Sequence, residues 1–286
     1  MLDISVPWEK TAESILSQKG TVIVLGLPDA GKSTFVKYLA KEGIKDGLKV
    51  AIINADLGQA DIGVPGTISL SFPQKETFSD DLSIEDWYFV GEINPVGKFL
   101  QIIVGVRKLL DKATAFSDLI IINTCGLIRG RLGRILKYHK ISIVAPDHIV
   151  GIYIGDELDS LLRIVGRFSK NVYKIPRSPL ARDRSPEERK EFRERRFQNY
   201  FKNGKVLDIP LFTLYSIDKY IDFQKNSYEG NLVGLLDDKE HLLGLGIIQN
   251  VDLEKRRLFV FTPYLEKERI KRIEMGGLKP EIKVGK

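Results

Sequence analysis

Cysteine is almost absent from this chain. Cys125 is the single cysteine among 286 residues, so no disulfide can form within the chain. Because disulfides are characteristic of oxidising compartments, the composition predicts a reducing one, and we expect a cytoplasmic protein. The chain begins MLDISVPWEK, without a basic segment followed by an apolar one, and this start does not favour secretion.

Histidine and long apolar runs are also scarce. The three histidines lie far apart in the sequence, among neighbours that do not suggest a ligand set, at His139, His148 and His241. No apolar run approaches the roughly 20 residues that a membrane-spanning helix needs. Internal repeats and low-complexity tracts are missing as well. We therefore expect neither a structural metal site nor a membrane partner.

The chain does contain enough apolar sequence to fill a core. Hydrophobic residues make up 43% of its 286 positions, which suffices for one large α/β domain with a smaller appendage. The 44 basic and 38 acidic residues give a net charge of +6, and this excess alone only weakly indicates an anionic partner. The distribution is more informative, because arginine is concentrated between residues 177 and 196.

The segment GLPDAGKST, from Gly26 to Thr34, is the strongest motif in the chain. An apolar stretch, TVIVL, precedes it and a helical pattern follows, which is the context in which G-x-x-x-x-G-K-[ST] binds phosphates. Lys32 would reach the β- and γ-phosphates, and Ser33 would place its hydroxyl on Mg²⁺. The motif predicts a site for a nucleoside triphosphate. The residues predicted to bind the nucleotide are Gly26, Asp29, Ala30, Gly31, Lys32, Ser33 and Thr34.

Short apolar runs alternate with helical segments through residue 176. The runs are typical of strands buried on both faces of a sheet, and they lie at 21–25, 50–54, 87–90, 119–123, 149–154 and 172–175. Helices are predicted between them, at 32–46, 96–113, 131–140 and 157–168. The predicted fold class is therefore α/β, a doubly wound parallel P-loop sheet. Short alternating strands beyond residue 205 predict a small β-rich C-terminal module. The expected domains are 1–204, with an arginine-rich helical lid at 177–203, and 205–286.

A carboxylate follows the second predicted strand. Asp56 should lie beside the phosphate loop, because the carboxyl ends of parallel strands meet at one edge of the sheet. There it could accept a proton from an attacking hydroxyl or hold the water shell of a metal ion, which Gln59 could also reach. The structural alternative is that Asp56 only caps the following turn. The Asn-Lys-x-Asp motif with which switch GTPases read guanine is not found.

The arginine-rich segment predicts a helix with one basic face. The sequence SPEE (185–188) forms a capping box with proline at the first helical position, so a helix should begin at Pro186. Four side chains would then share one face: Arg189, Arg193, Arg196 and Tyr200. An arginine above a transferring phosphoryl group stabilises the transition state. The alternative is a solvated helix whose glutamates pair with its arginines.

Four motifs follow one another along residues 20–204. They are GLPDAGKST, then DLGQ (56–59) with GVPGT (63–67), then NTCG (123–126), then the segment from Arg184 to Phe201. In their order and spacing they resemble the Walker A motif, the Walker B motif, the substrate clasp and the lid of the Clp1/Grc3/Nol9 family of polynucleotide 5′-hydroxyl kinases. The C-terminal module looks like the tail of the Grc3/Nol9 branch.

The resemblance implies transfer of the γ-phosphate of ATP, or of GTP, to the 5′-hydroxyl end of single-stranded or end-exposed RNA or DNA, with Mg²⁺. The catalytic residues that it implies are Lys32, Asp56, Arg184 and Arg189. The metal would be held by Ser33, Asp56 and Gln59. The first nucleotides would be seated by Thr124, Gly126 and Arg129, the last standing where the family often has lysine.

The chain departs from the family at two points. Only about 20 residues precede the phosphate loop, where eukaryotic members carry a further domain. Leu127 stands where the family usually has a tryptophan that can stack on a base. Because such stacking contributes roughly 1–3 kcal/mol, we expect a weaker or differently arranged hold on the strand, unless Leu127 points into the core.

Two other classes of function are considered. The chain could be a nucleotide-binding scaffold in an RNA-processing complex that never transfers the phosphate. Loss of Asp56 or of the lid arginines would favour that interpretation, and both are present. A MinD-like ATPase would carry an additional lysine early in the phosphate loop, where this chain has LPDA.

Overall fold

The structure is a computed structural model that describes residues 5–74, 83–169, 171–179, 181–217, 220–223 and 227–282. Position 180 of the predicted lid and both ends of the chain, 1–4 and 283–286, lie outside the described residues. The helices are α1 (Val6–Gln18), α2 (Lys32–Lys45), α3 (Phe99–Thr114), α4 (Gly130–Val144), α5 (Asp159–Val165) and α6 (Pro186–Phe201).

The strands fall into two sheets. The first contains β1 (Gly20–Gly26), β2 (Val50–Ala55), β3 (Thr67–Ser71), β4 (Asp86–Phe89), β5 (Leu119–Thr124), β6 (His148–Tyr153) and β7 (Asn171–Pro176). The second contains β8 (Lys205–Pro210), β9 (Leu214–Tyr215), β10 (Leu232–Leu236), β11 (Leu242–Asp252), β12 (Arg257–Thr262) and β13 (Arg272–Met275).

The first sheet has the strand order β4-β3-β2-β5-β1-β6-β7. The five adjacent strands β2, β5, β1, β6 and β7 run parallel to one another. The expected α/β P-loop fold is therefore confirmed. One edge departs from the prediction of a parallel sheet, because β3 is antiparallel to both β2 and β4.

Helices cover both faces of this sheet, as the continuous apolar strands require. On one face, α1 and α2 pack on the sheet through side chains such as Trp8, Ile15 and Phe35. On the other face, α3, α4 and α5 bury residues such as Ile102, Leu136 and Leu161. The sheet is therefore doubly wound, and its strand ends are free to carry loops.

Two elements of the first half of the chain are not predicted from the sequence. Helix α1 buries Trp8, Ala12 and Ile15 on one stripe, but charged residues between them and a short length weaken its apolar pattern. Strand β3 has the sequence TISLS and is fully buried. Its buried hydroxyl groups form hydrogen bonds, and for example Thr67 Oγ1 donates to Val64 O at 2.7 Å. A polar segment of this kind resembles a loop in sequence.

The second sheet begins at Lys205 and has the order β8-β12-β11-β10-β13-β9. Its pairs are antiparallel except β13 with β9. Helix α6 packs on it, because Phe197 and Phe201 share a core with Leu245 and Phe261. The predicted lid is therefore attached to the second sheet. The division into domains after residue 204 stays a prediction.

Within the described ranges, no helix combines the length and the apolar composition that crossing a bilayer requires.

Candidate active site

A cleft of about 560 Å³ lies where β1 and β2 end. Five segments form its walls: the phosphate loop, the turn after β2, residues 93–95, the turn after β5 and the lid segment. The cleft brings together most of the residues predicted for the site, namely Asp29, Gly31, Lys32, Ser33, Thr34, Asp56, Gln59, Gly126, Arg184 and Arg189. It is also lined by Asp61, Asn94, Arg182 and Arg193.

The phosphate loop connects β1 to α2 and depends on glycine at its end. Gly31 has φ +97°, a conformation that side chains disfavour, and a Cβ there would come within 3.2 Å of the Trp8 ring. Helix α2 then begins at Lys32. The backbone amides at the start of α2 therefore face the cleft, as the motif predicts.

Lys32 is buried beneath the loop. Its Nζ donates a hydrogen bond to Leu27 O at 2.7 Å. Burial lowers the pKa of Lys32, although the nearby Asp56 carboxylate raises it in part. The ammonium group and this carboxylate therefore form an electrostatically coupled pair at the floor of the cleft.

Asp56 lies directly after β2, at the edge where the sequence predicts it. Its Oδ1 accepts hydrogen bonds from the amides of Gly58 and Gln59, both at 3.2 Å. Burial raises the pKa of Asp56, against the opposing effects of Lys32 and the two amides. Oδ2 makes no hydrogen bond within the described part of the chain. Asp56 therefore both caps its turn, which was the structural alternative, and presents a second oxygen for chemistry.

Two buried asparagines lie next to each other beside Ser33, and Asn123 binds the hydroxyl of that serine. Asn123 Nδ2 donates to Ser33 Oγ at 3.2 Å and to Asn54 Oδ1 at 3.0 Å. Asn54 and Asn123 are register partners on the parallel strands β2 and β5. The prediction gives Asn54 no role, and it places Asn123 only within the NTCG motif. The signal for them is a polar residue at the end of each apolar run, in VAIIN and LIIIN.

The lid helix begins with the predicted capping box. The amide of Glu188 donates to Ser185 Oγ, and the amide of Ser185 donates to the carboxylate of Glu188. This cap places Arg184 and Arg189 over the phosphate loop. Asp29 Oδ2 accepts from the amide of Arg184 at 3.0 Å and from the guanidinium of Arg189 at 2.6 Å.

The electrostatics of Asp29 follow from these contacts. Burial raises its pKa, but the hydrogen bonds from Arg184 and Arg189 outweigh that effect, and the pKa lies below the usual value. Arg184 also donates to Gln59 Oε1 at 3.0 Å. The lid is thereby linked to the phosphate loop and to the turn after β2, instead of forming a solvated helix.

Two further members of the predicted face, Arg196 and Tyr200, are anchored by hydrogen bonds. Arg196 donates to the carbonyl oxygens of Asp61 and Gly63. Tyr200 accepts a hydrogen bond from the amide of Leu245 on β11 at 2.8 Å. The C-terminal half of α6 is therefore fixed to the loop between β2 and β3 and to the second sheet. The arginines that line the cleft lie in its N-terminal half and in the segment just before it.

Four predicted site residues are not among those that line the cleft. Gly26 ends β1, and Ala30 is buried within the loop. Thr124 is fully buried and donates its hydroxyl to Val24 O at 2.7 Å, so it holds the strand end that leads to Gly126. Arg129 is exposed at the start of α4.

Leu127 is half-buried and packs against the core beneath α3 and α4. It does not line the cleft. Of the two positions considered for this residue, the structure shows the one in contact with the core.

The residues present fit a magnesium ion better than a soft metal. The described residues contain no cluster of three or more His, Cys, Asp and Glu side chains that could hold a metal ion. Ser33 Oγ and Asp56 Oδ2 are instead isolated oxygen donors beside a phosphate loop. Mg²⁺ is typically bound in this way, through one or two protein oxygens together with substrate phosphates.

The fold and this cleft define a nucleotide-binding protein of the P-loop class. Residues 26–203 match the family described as mRNA cleavage and polyadenylation factor CLP1 P-loop. The chain belongs to this family, and the predicted resemblance is confirmed.

Relatives of known name match nearly the whole chain. It is 30% identical to a polyribonucleotide 5′-hydroxyl-kinase of Pyrococcus furiosus, over 97% of this chain and 93% of the relative. It is 32% identical to a polyribonucleotide 5′-hydroxyl-kinase of Methanocaldococcus jannaschii, over 90% of this chain and 86% of the relative.

A solved structure has the same fold. It is that of the wild-type Clp1p–Pcf11p complex, which matches with a TM-score of 0.74 and 14% identity, over 96% of this chain and 79% of that chain. At this identity the match supports the fold alone.

Proposed function

We propose that this chain is a kinase that transfers the γ-phosphate of ATP to the 5′-hydroxyl end of RNA. The observation that carries the proposal is the convergence of a phosphate loop, a carboxylate and two lid arginines on one cleft. The names of the two archaeal relatives support the substrate class, because both are polyribonucleotide 5′-hydroxyl-kinases that match this chain over most of its length.

The donor phosphates would be held from two sides. Lys32 and the amides at the start of α2 face them from the loop, and Arg184 and Arg189 face them from the lid. Positioning and charge stabilisation account for most of the catalysis in phosphoryl transfer. A guanidinium above the γ-phosphoryl group would stabilise the charge that spreads over its oxygens in the transition state.

Asp56 would act on the acceptor. The 5′-oxygen forms a bond to the γ-phosphorus, the bond from that phosphorus to the β,γ-bridging oxygen breaks, and ADP leaves. The hydroxyl proton passes to Asp56 Oδ2, which makes no hydrogen bond to the described residues. The raised pKa of Asp56 supports this role, because it makes the carboxylate a stronger base.

Ser33 would hold Mg²⁺ directly, and Asp56 and Gln59 would act on the ion less directly, through its water shell. The ion, when bound, neutralises charge on the β- and γ-phosphate oxygens. Asn123 fixes the orientation of the Ser33 hydroxyl, and the Gln59 carbonyl is oriented by Arg184. Gly126 would seat the first nucleotide, supported by the buried Thr124, and Arg129 would contact the strand further out.

The decisive experiment uses the purified protein, a 5′-hydroxyl oligoribonucleotide and γ-labelled ATP with Mg²⁺. We expect label on the 5′ end of the RNA. A 5′-phosphorylated strand of the same sequence should receive no label from the wild type. The 5′-hydroxyl strand should receive none from the Lys32→Ala variant. The corresponding DNA strand and γ-labelled GTP test the preference for sugar and for nucleotide. Binding of ATP without transfer to any 5′-hydroxyl strand would instead support the scaffold.

A further inference from the structure

The segment from 119 to 146 contains no acidic residue, in a chain that has 38 of them. It includes β5, the turn through Gly126 and helix α4. Over the same positions it carries five basic side chains of lysine and arginine, at Arg129, Arg131, Arg134, Lys137 and Lys140. No acidic side chain within this segment therefore neutralises its lysines and arginines.

The basic side chains of α4 divide between its two faces. Lys137 and Lys140 are fully buried. Arg131, Arg134 and Tyr138 are exposed. Since they stand at i, i+3 and i+7, they share one face of the helix and extend over about 10 Å along its axis. We call these three residues, with Arg129 at the helix start, the α4 basic face.

The α4 basic face begins next to the cleft. Gly126 lines the cleft and packs so closely on the phosphate loop that a Cβ would lie 2.4 Å from Pro28 N. Arg129 follows three residues later, and Arg131 opens the exposed stripe. A strand whose 5′ end lies in the cleft can therefore pass Gly126 and continue along α4.

The guanidinium groups of this face make no hydrogen bond or ion pair with the residues that the structure describes. In the portion of the chain that the structure describes, Arg131 and Arg134 make neither a hydrogen bond nor an ion pair. Burial raises the pKa of Glu157, and hydrogen bonds from backbone amides lower it. Arg129 lowers this pKa by a smaller amount through its charge alone, without a hydrogen bond or ion pair among the described residues. The arginines are thus available to an external anion.

The stability of helix α4 does not explain why arginines stand at its N-terminal end. The first turn of a helix favours acidic side chains and disfavours basic ones, because the helix dipole is positive there. Helix α4 has no acidic residue in its first turn. Arg129 and Arg131 at this end therefore oppose the dipole. A bound polyanion would compensate the charge of these arginines and of the helix end.

We infer that the α4 basic face binds the backbone phosphates of a single RNA strand, downstream of the 5′ end that is phosphorylated. The direction of the strand rests on the proposed function, whereas the binding itself does not. Phosphate contacts made by arginine position a strand without reading its sequence. Tyr138 would add a surface on which a base can stack.

The test measures the affinity of a 3′-labelled 5′-hydroxyl oligoribonucleotide by fluorescence anisotropy over a series of salt concentrations. Each phosphate contact on a single strand contributes a slope of about −0.7 in log K against log salt. We therefore expect Arg131→Ala/Arg134→Ala to weaken binding and to make the slope shallower by about 1.4. Arg131→Lys/Arg134→Lys keeps both charges and should keep most of the slope.

The matched control is Lys49→Ala/Lys239→Ala. It removes the same charge from two exposed positions that do not line the cleft. Lys49 directly precedes β2, at the end of that strand opposite the cleft, and Lys239 lies between β10 and β11 of the second sheet. We expect its affinity and slope to equal those of the wild type. If the salt slope becomes shallower by the same amount in both double variants, the change reflects only the net charge of the protein, and the inference is wrong.

A kinetic comparison separates this inference from the proposed function. For the wild type, KM should fall as the substrate lengthens from a dinucleotide to an oligonucleotide, and Arg131→Ala/Arg134→Ala should lose much of that gain. Equal KM values for both lengths in an active wild type would overturn the inference and leave the kinase intact. Tight RNA binding with a steep salt slope but no phosphate transfer would overturn the proposed kinase activity and leave the inference about the α4 basic face intact. Binding of an acidic protein but of no RNA would also overturn the inference.

Discussion

The guanidinium group of Arg189 lies 2.6 Å from the carboxylate of Asp29, and this ion pair joins the lid helix to the phosphate loop. The same carboxylate oxygen accepts the amide of Arg184 at 3.0 Å. Asp29 has a positive φ of 56°, so the loop itself directs its side chain toward the lid. One loop carboxylate therefore positions both Arg184 and Arg189.

The first prediction concerns these two arginines. We expect Arg184→Ala and Arg189→Ala each to lower kcat by roughly 10³-fold, the lower end of what such arginines contribute, with a much smaller rise in KM for ATP. The reason is that their charge is most useful in the transition state, so the loss belongs to the chemical step. Steady-state kinetics over a range of ATP concentrations measures both constants.

Arg195 provides the matched control for that experiment. It lies on the same helix, is exposed and is not among the residues that line the cleft. Arg195→Ala should leave kcat within about twofold of the wild type, as expected for a surface substitution away from specific contacts. Equal and small effects at all three positions would show that the lid takes no part in catalysis.

The second prediction concerns Asp56. Asp56→Asn should abolish phosphate transfer and leave ATP binding nearly intact, because the amide keeps the shape and accepts the same turn hydrogen bonds but cannot take a proton. Lys32→Ala should weaken both binding and turnover. Titration calorimetry with ATP and the transfer assay separate the two variants. Substantial activity in Asp56→Asn would leave Asp56 with its turn-capping role alone.

The third prediction is the pH dependence that Asp56 imposes. Its pKa is raised above 3.8 by burial, and the base must be deprotonated to accept the hydroxyl proton. The rate of transfer should therefore fall as the pH decreases through a midpoint above 3.8, with no further gain at higher pH from this group. A pH profile of kcat/KM measures the midpoint. The residual activity of Asp56→Asn should lack this acid limb.

Much of the site could be predicted because its signals are local. The phosphate loop follows from spacing and from flanking apolar runs, and the capping box at Ser185 fixes the start of the lid. Asp56 could be placed beside the loop because parallel strands end at one edge. Each of these inferences needs only neighbouring residues or the general geometry of a parallel sheet.

Other features depend on contacts between distant segments, which a single sequence does not reveal. Asn123 orients Ser33 across 90 positions, and Arg196 reaches the carbonyl of Gly63 across 133. Strand β3 is polar in sequence, and its assignment as a strand depends on its pairing with β2 and β4, which its own sequence pattern does not reveal. The attachment of α6 to the second sheet likewise requires the packing of Phe201 on Phe261.

The fourth prediction concerns Leu127, which packs against the core. Leu127→Trp should lower the melting temperature, because overpacking a core costs typically about 1–3 kcal/mol, and it should not tighten binding of single-stranded RNA. Leu132→Trp, on the exposed surface of α4, is the control and should leave the melting temperature nearly unchanged. A stable Leu127→Trp protein with higher RNA affinity would return this residue to the substrate clasp.

The fifth prediction concerns the stability of the folded protein and the buried Lys140. Its Nζ is buried and has no hydrogen-bond partner among the described residues. Burial, followed by the nearby Lys137, lowers its pKa from 10.5 to about 8. A pKa difference of this size corresponds to a destabilisation of the folded protein by about 3 kcal/mol at neutral pH, where the buried ammonium is charged. Lys140→Met should therefore raise the free energy of unfolding at neutral pH.

The sign of the pH dependence makes this prediction specific. Between pH 8 and pH 10.5 the unfolded chain holds a proton on Lys140 that the folded chain has released. The contribution of Lys140 to stability therefore increases with pH across that window, and the advantage of Lys140→Met over the wild type should shrink there. Urea unfolding of both proteins at several pH values measures this difference, with the exposed Lys10→Met as control. A difference that stays constant with pH would show that Lys140 is not a buried ammonium and that its replacement acts through packing alone.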